Sequence, residues 1–214
     1  MVYADRRDAG RRLAVAVAAA LEPFDPGTVL VLGVPRGGVT VAAEVAAALG
    51  APLDVALARK LGAPGNRELA IGAIAEHGAP VVDTSLVRRL GVTSEYLEAE
   101  IDRQRTELAR RAARYRDDRP APSPAGRVTV VVDDGIATGS TLEAVLVATA
   151  AGGPARLVGA VPVGPPGSIA RLASRVDTMV CPLQPPRLMA VGEWYTDFTQ
   201  VTDEEVVEML RARP

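Results

Sequence analysis

The chain has 214 residues, of which 48% are hydrophobic, and a formal net charge of −2. That length and apolar content suit one α/β domain with a substantial core, and the near-neutral balance excludes the composition of a disordered chain and the basic excess of a nucleic-acid binder. A lone cysteine, Cys181, and a lone histidine, His77, exclude an intramolecular disulfide and argue against a structural zinc site.

No apolar run reaches the length of a membrane span, and Asp5-Arg6-Arg7-Asp8 stands where a secretory leader would carry its apolar core, so a cytoplasmic location is expected. Residues 5–22 place Ala9, Leu13, Ala16, Val17 and Leu21 at helical spacing, with arginines elsewhere on the wheel. After a Pro and Gly stop, residues 28–32 read as a short strand leading into Gly33-Val34-Pro35-Arg36-Gly37-Gly38. A helix over 39–49, closed by Gly50, and a strand over 53–58 complete a βαβ unit. Between 59 and 83 the pattern weakens: Gly62, Pro64, Gly65 and Asn66 suggest a flexible stretch, with a small hairpin from 70–75 and 80–82. Residues 93–117 form a strongly helical segment with Leu97, Ile101, Leu108, Ala112 and Tyr115 in a stripe, and its many charges read as a solvated face. A proline-rich connection over 119–124 follows.

Val128-Thr129-Val130-Val131-Val132 has no polar alternation beyond Thr129 and reads as a strand buried on both faces. It ends in Asp133-Asp134 and then Gly135-Ile136-Ala137-Thr138-Gly139-Ser140-Thr141, before a helix over 142–151. Backbone N–H groups of such a loop, the helix N-terminus and the hydroxyls of Thr138, Ser140 and Thr141 can converge on one phosphate. The two carboxylates would repel phosphate but suit vicinal hydroxyls or a hydrated Mg²⁺ beside it. Phosphate, diol and metal together describe a sugar phosphate; the plain alternative is a strand-to-helix turn with acids at its rim. A mononucleotide P-loop would need Lys where Ser140 stands, and the dinucleotide fingerprint needs three spaced glycines where only Gly135 and Gly139 occur. Further on, 156–163 and 176–181 read as strands, 167–174 as a short helix, 182–200 as irregular, and 203–213 as a terminal helix capped by Thr202 or Asp203.

Residues 131–141 resemble the phosphoribosyl pyrophosphate (PRPP) motif of the type I phosphoribosyltransferases. The resemblance implies an α/β fold with a twisted, mainly parallel sheet flanked by helices, a core over about 24–182 and a small C-terminal hood over about 183–200, all in one domain. It implies that Asp133 and Asp134 hold the ribose hydroxyls and, directly or through water, Mg²⁺, while Gly135 to Thr141 hold the 5′-phosphate. Pro35-Arg36-Gly37-Gly38 resembles the pyrophosphate loop of the family, especially the Arg-Gly-Gly of the xanthine–guanine enzymes. The peptide before the corresponding residue is cis in several relatives, which implies a cis Pro35-Arg36 bond. Arg59 and Lys60, at the end of the second strand, resemble the Arg-Lys pair that faces pyrophosphate in orotate-type relatives. Arg36, Arg59 and Lys60 are therefore the expected catalytic cations.

Where the hypoxanthine–guanine enzymes carry an Asp facing the purine, this chain has Ala137, so Glu68, Glu76 and Asp197 remain as candidate bases, or no strong base is needed. His77 reads as an exposed loop residue and is left out of the site. Aromatics are 3% of the chain, yet Trp194, Tyr195 and Phe198 fall within five positions. Either they pack a satellite core, or, as Val191-Gly192 and Asp197-Phe198 resemble the Val-Gly…Asp-Tyr pattern of purine enzymes, Val191, Trp194 and Asp197 frame a base. The implied function is Mg²⁺- and PRPP-dependent phosphoribosyl transfer to a nucleobase-like nitrogen, purines ahead of pyrimidines, in nucleotide metabolism. The rival is a non-catalytic regulator of the same fold that senses PRPP or a nucleotide. Dimers are common in the family, and the long charged helix offers a surface for one.

Overall fold

The computed structural model describes residues 2–76, 79–116 and 119–212 and, within them, every side chain except that of Glu68. His77, Asp117 and Arg213 lie outside the described residues, as does the side chain of Glu68. Helix α1 (Arg6–Leu21) is capped by Asp5, whose carboxylate accepts the N–H of Asp8. Strand β1 (Val29–Gly33), helix α2 (Gly37–Leu49) and strand β2 (Leu53–Val55) form the first βαβ unit. An antiparallel group follows, β3 (Ala58–Ala63), β4 (Asn66–Ala75) and β5 (Val81–Val82), then helices α3 (Thr84–Arg89) and α4 (Ser94–Arg116). Strand β6 (Val128–Val132), helix α5 (Ser140–Ala150), strand β7 (Arg156–Ala160), helix α6 (Pro166–Ala173), strand β8 (Thr178–Val180) and helix α7 (Asp203–Arg211) complete the chain.

The main sheet has the order β2-β1-β6-β7-β8 and every neighbour is parallel. A sheet of this kind must be covered on both faces, which is why its central strands carry apolar residues at successive positions. Val29, Val31, Val130 and Val132 face a cluster with Leu13, Val45, Leu108 and Leu210 from α1, α2, α4 and α7. Leu30 and Val131 face Leu142, Leu146 and Leu172 from α5 and α6. Each such fully buried leucine contributes about 1.5–3 kcal/mol relative to exposure. The register Gly33↔Val132 puts the carboxyl ends of β1 and β6 side by side, so the two loops of interest leave the sheet together.

Three expectations need correction. The second strand ends at Val55 instead of residue 58: the N–H of Ala56 still reaches the carbonyl of Gly33 at 2.8 Å, and the chain then leaves the sheet. Arg59 and Lys60 accordingly sit in β3, which pairs with β4 through Arg59↔Ile74 and Lys60↔Ala73. The stretch read as flexible is thus a long hairpin turning near Pro64-Gly65, with β5 added to its far edge. Its small residues carry little period-2 signal, and cross-strand pairing supplies the order. Helix α3 went unread, although Asp83 caps it by accepting the N–H groups of Ser85 and Leu86.

The third correction concerns α4, whose charges are not all solvated. Glu100, Gln104 and Arg116 are buried. Arg116 Nε lies 3.0 and 2.9 Å from the two oxygens of Asp54 on β2, its Nη1 meets Glu76, and its Nη2 donates to the carbonyl of Val55 at 3.1 Å. This fastens the end of α4 to the sheet. Arg116→Met strands two enclosed carboxylates and is expected to cost about 3 kcal/mol of stability, read from denaturant unfolding. An unchanged midpoint would show that the pair is screened by water.

Candidate active site

The two loops at the carboxyl ends of β1 and β6 touch. The N–H of Val34 donates to the carbonyl of Val132 at 2.8 Å. A Cβ on Gly37 would lie 2.0 Å from Asp134 Oδ2 and 2.6 Å from Arg6 Nε, and one on Gly38 would lie 2.9 Å from both Asp133 Cα and the carbonyl of Val132. Only glycine allows this approach. The Pro35-Arg36 peptide is cis, and Arg36 stands half-buried before the first turn of α2, with no side-chain ion pair or hydrogen bond among the described residues.

Asp133 and Asp134 stand at the meeting point. Asp133 Oδ1 accepts the N–H of Asp134 at 2.9 Å. Burial, and then the neighbouring carboxylate of Asp134, push the Asp133 carboxyl well above the usual carboxylate range. Burial raises Asp134 too, against the pull of Arg6, whose Nε lies 2.8 Å from Asp134 Oδ2. Two like charges in one enclosure favour a cation between them or hydroxyl donors on their free lone pairs. Among the described residues no group of three or more acidic, His or Cys side chains could cage a metal. Two carboxylates alone could hold a divalent cation such as Mg²⁺ only if most of its ligands came from elsewhere.

The loop from Gly135 to Thr141 is held from outside. Ile136 is buried, and its N–H donates to the carbonyl of Val163 at 3.0 Å, so this residue anchors the loop and keeps no free N–H. Ser168 Oγ donates to the carbonyl of Ala137 at 2.8 Å, and Arg171 of α6 donates to that of Thr138 while pairing with Glu143. With those carbonyls drawn towards α6, the N–H groups of Ala137, Thr138, Gly139 and Ser140 have no acceptor among the described residues. Gly135 and Gly139 have φ of 145° and 72°, which shape the cup. The hydroxyls of Thr138 and Ser140 lie 3.4 Å apart, and Thr141 follows exposed in the first turn of α5.

Lys60 crosses from the hairpin to donate to Ser140 Oγ at 3.1 Å, which brings it to the cup. Arg59, its neighbour on the opposite face of β3, turns to α4 and donates to Gln104 Oε1 at 2.9 Å. Structure thus gathers Asp133, Asp134, the cup, Lys60 and the Pro35 to Gly38 loop, and sets Arg59 apart.

The hood splits in the same way. Val191 packs beside Gly135, since a Cβ there would meet Val191 Cγ1 at 2.5 Å. Trp194 packs with Val191 and Leu188 against Tyr3, Ala9, Val163 and Tyr195, and its buried indole N–H has no partner among the described residues. Tyr195 donates its hydroxyl to the carbonyl of Asp134. Phe198 is stacked between Tyr195, with ring centroids 4.9 Å apart, and the Arg6 guanidinium 3.8 Å from its centroid. Asp197 is exposed on a polar cavity of about 460 Å³ that Arg6 and Thr40 also line. Thr199, through its hydroxyl and N–H, holds the Asp197 carboxyl below its ordinary value, which makes it a weak proton acceptor. Glu76 is committed to Arg116.

Nothing in the sequence marks the contacts that Arg6 and Tyr195 make with Asp134, or those of Ser168 and Arg171 with the loop. Arg6 looked like one more arginine on the polar face of α1, and nothing local distinguishes it. Its partners Asp134 and Thr199 are 128 and 193 residues away.

A parallel α/β sheet thus ends, at one edge, in a loop with free N–H groups, an acid pair and a glycine-rich loop that carries Arg36. The chain belongs to the phosphoribosyl transferase family: the description "Phosphoribosyl transferase domain" matches residues 8–183. Two Mycobacterium tuberculosis proteins, from strains CDC 1551 / Oshkosh and ATCC 25618 / H37Rv, are both provisionally named phosphoribosyl transferases. Each is 46% identical to this chain over 209 residues, covering 98% of this chain and 46% of the relative. The chain thus spans about half the length of the curated relatives it matches. The crystal structure of TT1426 from Thermus thermophilus is similar at 47% identity and a TM-score of 0.89, covering 98% of each chain. Among the described residues no helix is long and apolar enough to cross a membrane.

Proposed function

We propose that the protein transfers the 5-phosphoribosyl group of PRPP to a ring nitrogen of a nucleobase-like acceptor and releases pyrophosphate. The observation that carries this is the contact between the two loops, with the N–H of Val34 on the carbonyl of Val132 and Gly37 and Gly38 against Asp134 and Asp133. The ribose 2′ and 3′ hydroxyls would donate to Asp133 and Asp134, and the 5′-phosphate would take the free N–H groups of 137–140. The C1–O bond to pyrophosphate breaks as the C1–N bond forms, through a state with oxocarbenium character, and the proton of the ring nitrogen passes to water or to the departing pyrophosphate. The catalytic contribution is then mostly the fixing of both ends of the ribose, with Arg36 and Lys60 as cations for anionic oxygens. Mg²⁺, held by Asp133 and Asp134 directly or through water, would supply charge neutralisation to the departing pyrophosphate.

PRPP-dependent release of pyrophosphate, measured across purine and pyrimidine bases, tests this reading, with purines expected to lead. If PRPP and Mg²⁺ bind but no base supports turnover, the protein is a PRPP or nucleotide sensor. Among the candidate bases whose side chains are described, two observations favour that second reading: Glu76 is engaged by Arg116, and Asp197 is held low by Thr199. For the hood, Asp197→Asn is expected to change base affinity while PRPP affinity stays nearly intact, both by calorimetry. Equal losses of both, with a lower melting temperature, would make the segment packing alone. Trp194→Phe in the same assays should show mainly the fall in melting temperature, because its indole sits in the satellite cluster.

A further inference from the structure

A second concentration of positive charge lies beyond the cup. A cavity of about 350 Å³ between the β3-β4 hairpin, α4 and α5 is lined by Arg59, Lys60, Arg67 and Arg103, in a chain whose net charge is −2. Glu100 is the one carboxylate lining it among the described side chains, and it is already spent. Arg103 donates to its two oxygens at 2.9 and 2.8 Å, Gln104 Nε2 at 2.8 Å and the N–H of Gly62 at 3.3 Å. Among the described residues Arg59 has the neutral amide of Gln104 as its hydrogen-bond partner, and burial followed by the nearby Arg111 lowers its pKa against the smaller pull of Glu107 and Glu100. Arg67 has no ion pair among the described residues, and Lys60 donates only to the Ser140 hydroxyl. Four cations around one lining carboxylate, which Arg103 already engages, leave an excess of positive charge that an anion would stabilise.

We propose that this cavity is an anion site separate from the cup, taking an oxyanion of the phosphate class. It rests on the reading of residues 135–141 as a 5′-phosphate cup. The cavity opens at the α5 end of the cup, beside Thr141, and neither the Pro35 to Gly38 loop nor Asp133 and Asp134 line it. The pyrophosphate of PRPP, placed by those residues, is therefore not its occupant. Lys60 belongs to both places, lining the cavity and reaching Ser140 at 3.1 Å. Two anions that share one ammonium weaken each other, and that linkage is reciprocal.

The test is calorimetry at constant ionic strength. Protein saturated with PRPP, which on the proposed reading fills the cup and the Pro35 to Gly38 loop, is titrated with inorganic phosphate or a nucleoside triphosphate, in wild type and in Arg67→Ser with Arg103→Gln, whose folding is checked by circular dichroism. One further site per chain is expected in the loaded wild type, weakened by about tenfold or more in the double variant. Filling it should raise the Kd for PRPP by roughly fivefold in the wild type and leave it unchanged in the variant. Tighter binding of the triphosphate, with the same dependence on Arg67 and Arg103, supports the site and identifies a nucleotide's terminal phosphates as the source. Absence of a further site in the loaded wild type, or equal binding by the variant, overturns the proposal. If the double variant fails to fold, Arg67→Ser alone, on the exposed hairpin, takes its place. Should PRPP itself not bind, the cup reading fails separately, and the cavity is judged on free protein by whether phosphate binding depends on Arg67.

Discussion

Asp133→Asn combined with Asp134→Asn is expected to lower the affinity for PRPP by roughly a hundredfold or more. Hydrogen bonds from a diol to charged acceptors contribute about 1.5–3 kcal/mol each, and both are lost together. Calorimetric titration of PRPP decides it, and unchanged affinity would remove the diol role from these acids. The single change Asp133→Asn carries an opposite effect on the ligand-free fold. Burial and Asp134 raise the Asp133 carboxyl, so the folded protein holds that proton to higher pH than the unfolded chain. The cost to stability is then full above the folded value and vanishes as pH falls towards the unfolded value of about 3.9. Asp133→Asn should therefore raise the melting temperature at neutral pH, and the gain should shrink as the pH is lowered towards 4. A gain that stays constant across that range would mean that Asp133 is solvated enough to titrate normally.

Gly37→Ala is expected to abolish PRPP binding at concentrations that saturate the wild type, a loss of roughly a hundredfold or more by the same reckoning of charged hydrogen bonds. The new Cβ would stand 2.0 Å from Asp134 Oδ2 and 2.6 Å from Arg6 Nε. Something must move, and the nearest movable group is the Asp134 carboxylate, which the proposed function assigns to the ribose. The stability cost should be small by comparison, because side-chain ends and not backbone are displaced. Gly167→Ala, where a Cβ meets nothing within 4 Å, serves as the control and should leave PRPP affinity unchanged. If Gly37→Ala binds PRPP as the wild type does, the carboxylate of Asp134 is not where the ligand needs it.

Both variants act at a site only partly legible in the chain. Asp133 to Thr141 could be read because the whole unit, an apolar strand, two acids, small residues and a helix start, is contiguous, and its backbone geometry is local. Pro35 to Gly38 was legible for the same reason. The identity of Arg6 was not: its ion pair with Asp134 and its stacking on Phe198 depend on α1 lying across the C-terminal segment. Arg59 and Lys60 were recognised as a pair, but adjacent residues in a strand point to opposite faces. That alternation sends Lys60 to Ser140 and Arg59 to Gln104, which became visible only once β3 was found paired with β4.

By itself the sequence determined the parallel α/β character, most of the element order, and the two loops that carry glycine and charge, since apolar periodicity and turn chemistry act over a few residues. Tertiary structure alone decided which loops touch, that Arg116 is buried on Asp54 and Glu76, that Trp194 packs in a satellite cluster, and that Arg6 reaches the acid pair. Those outcomes depend on contacts between residues tens to nearly two hundred positions apart. Desolvation and charge pairing at such distances are set by how layers pack, and no local pattern of residue types encodes them.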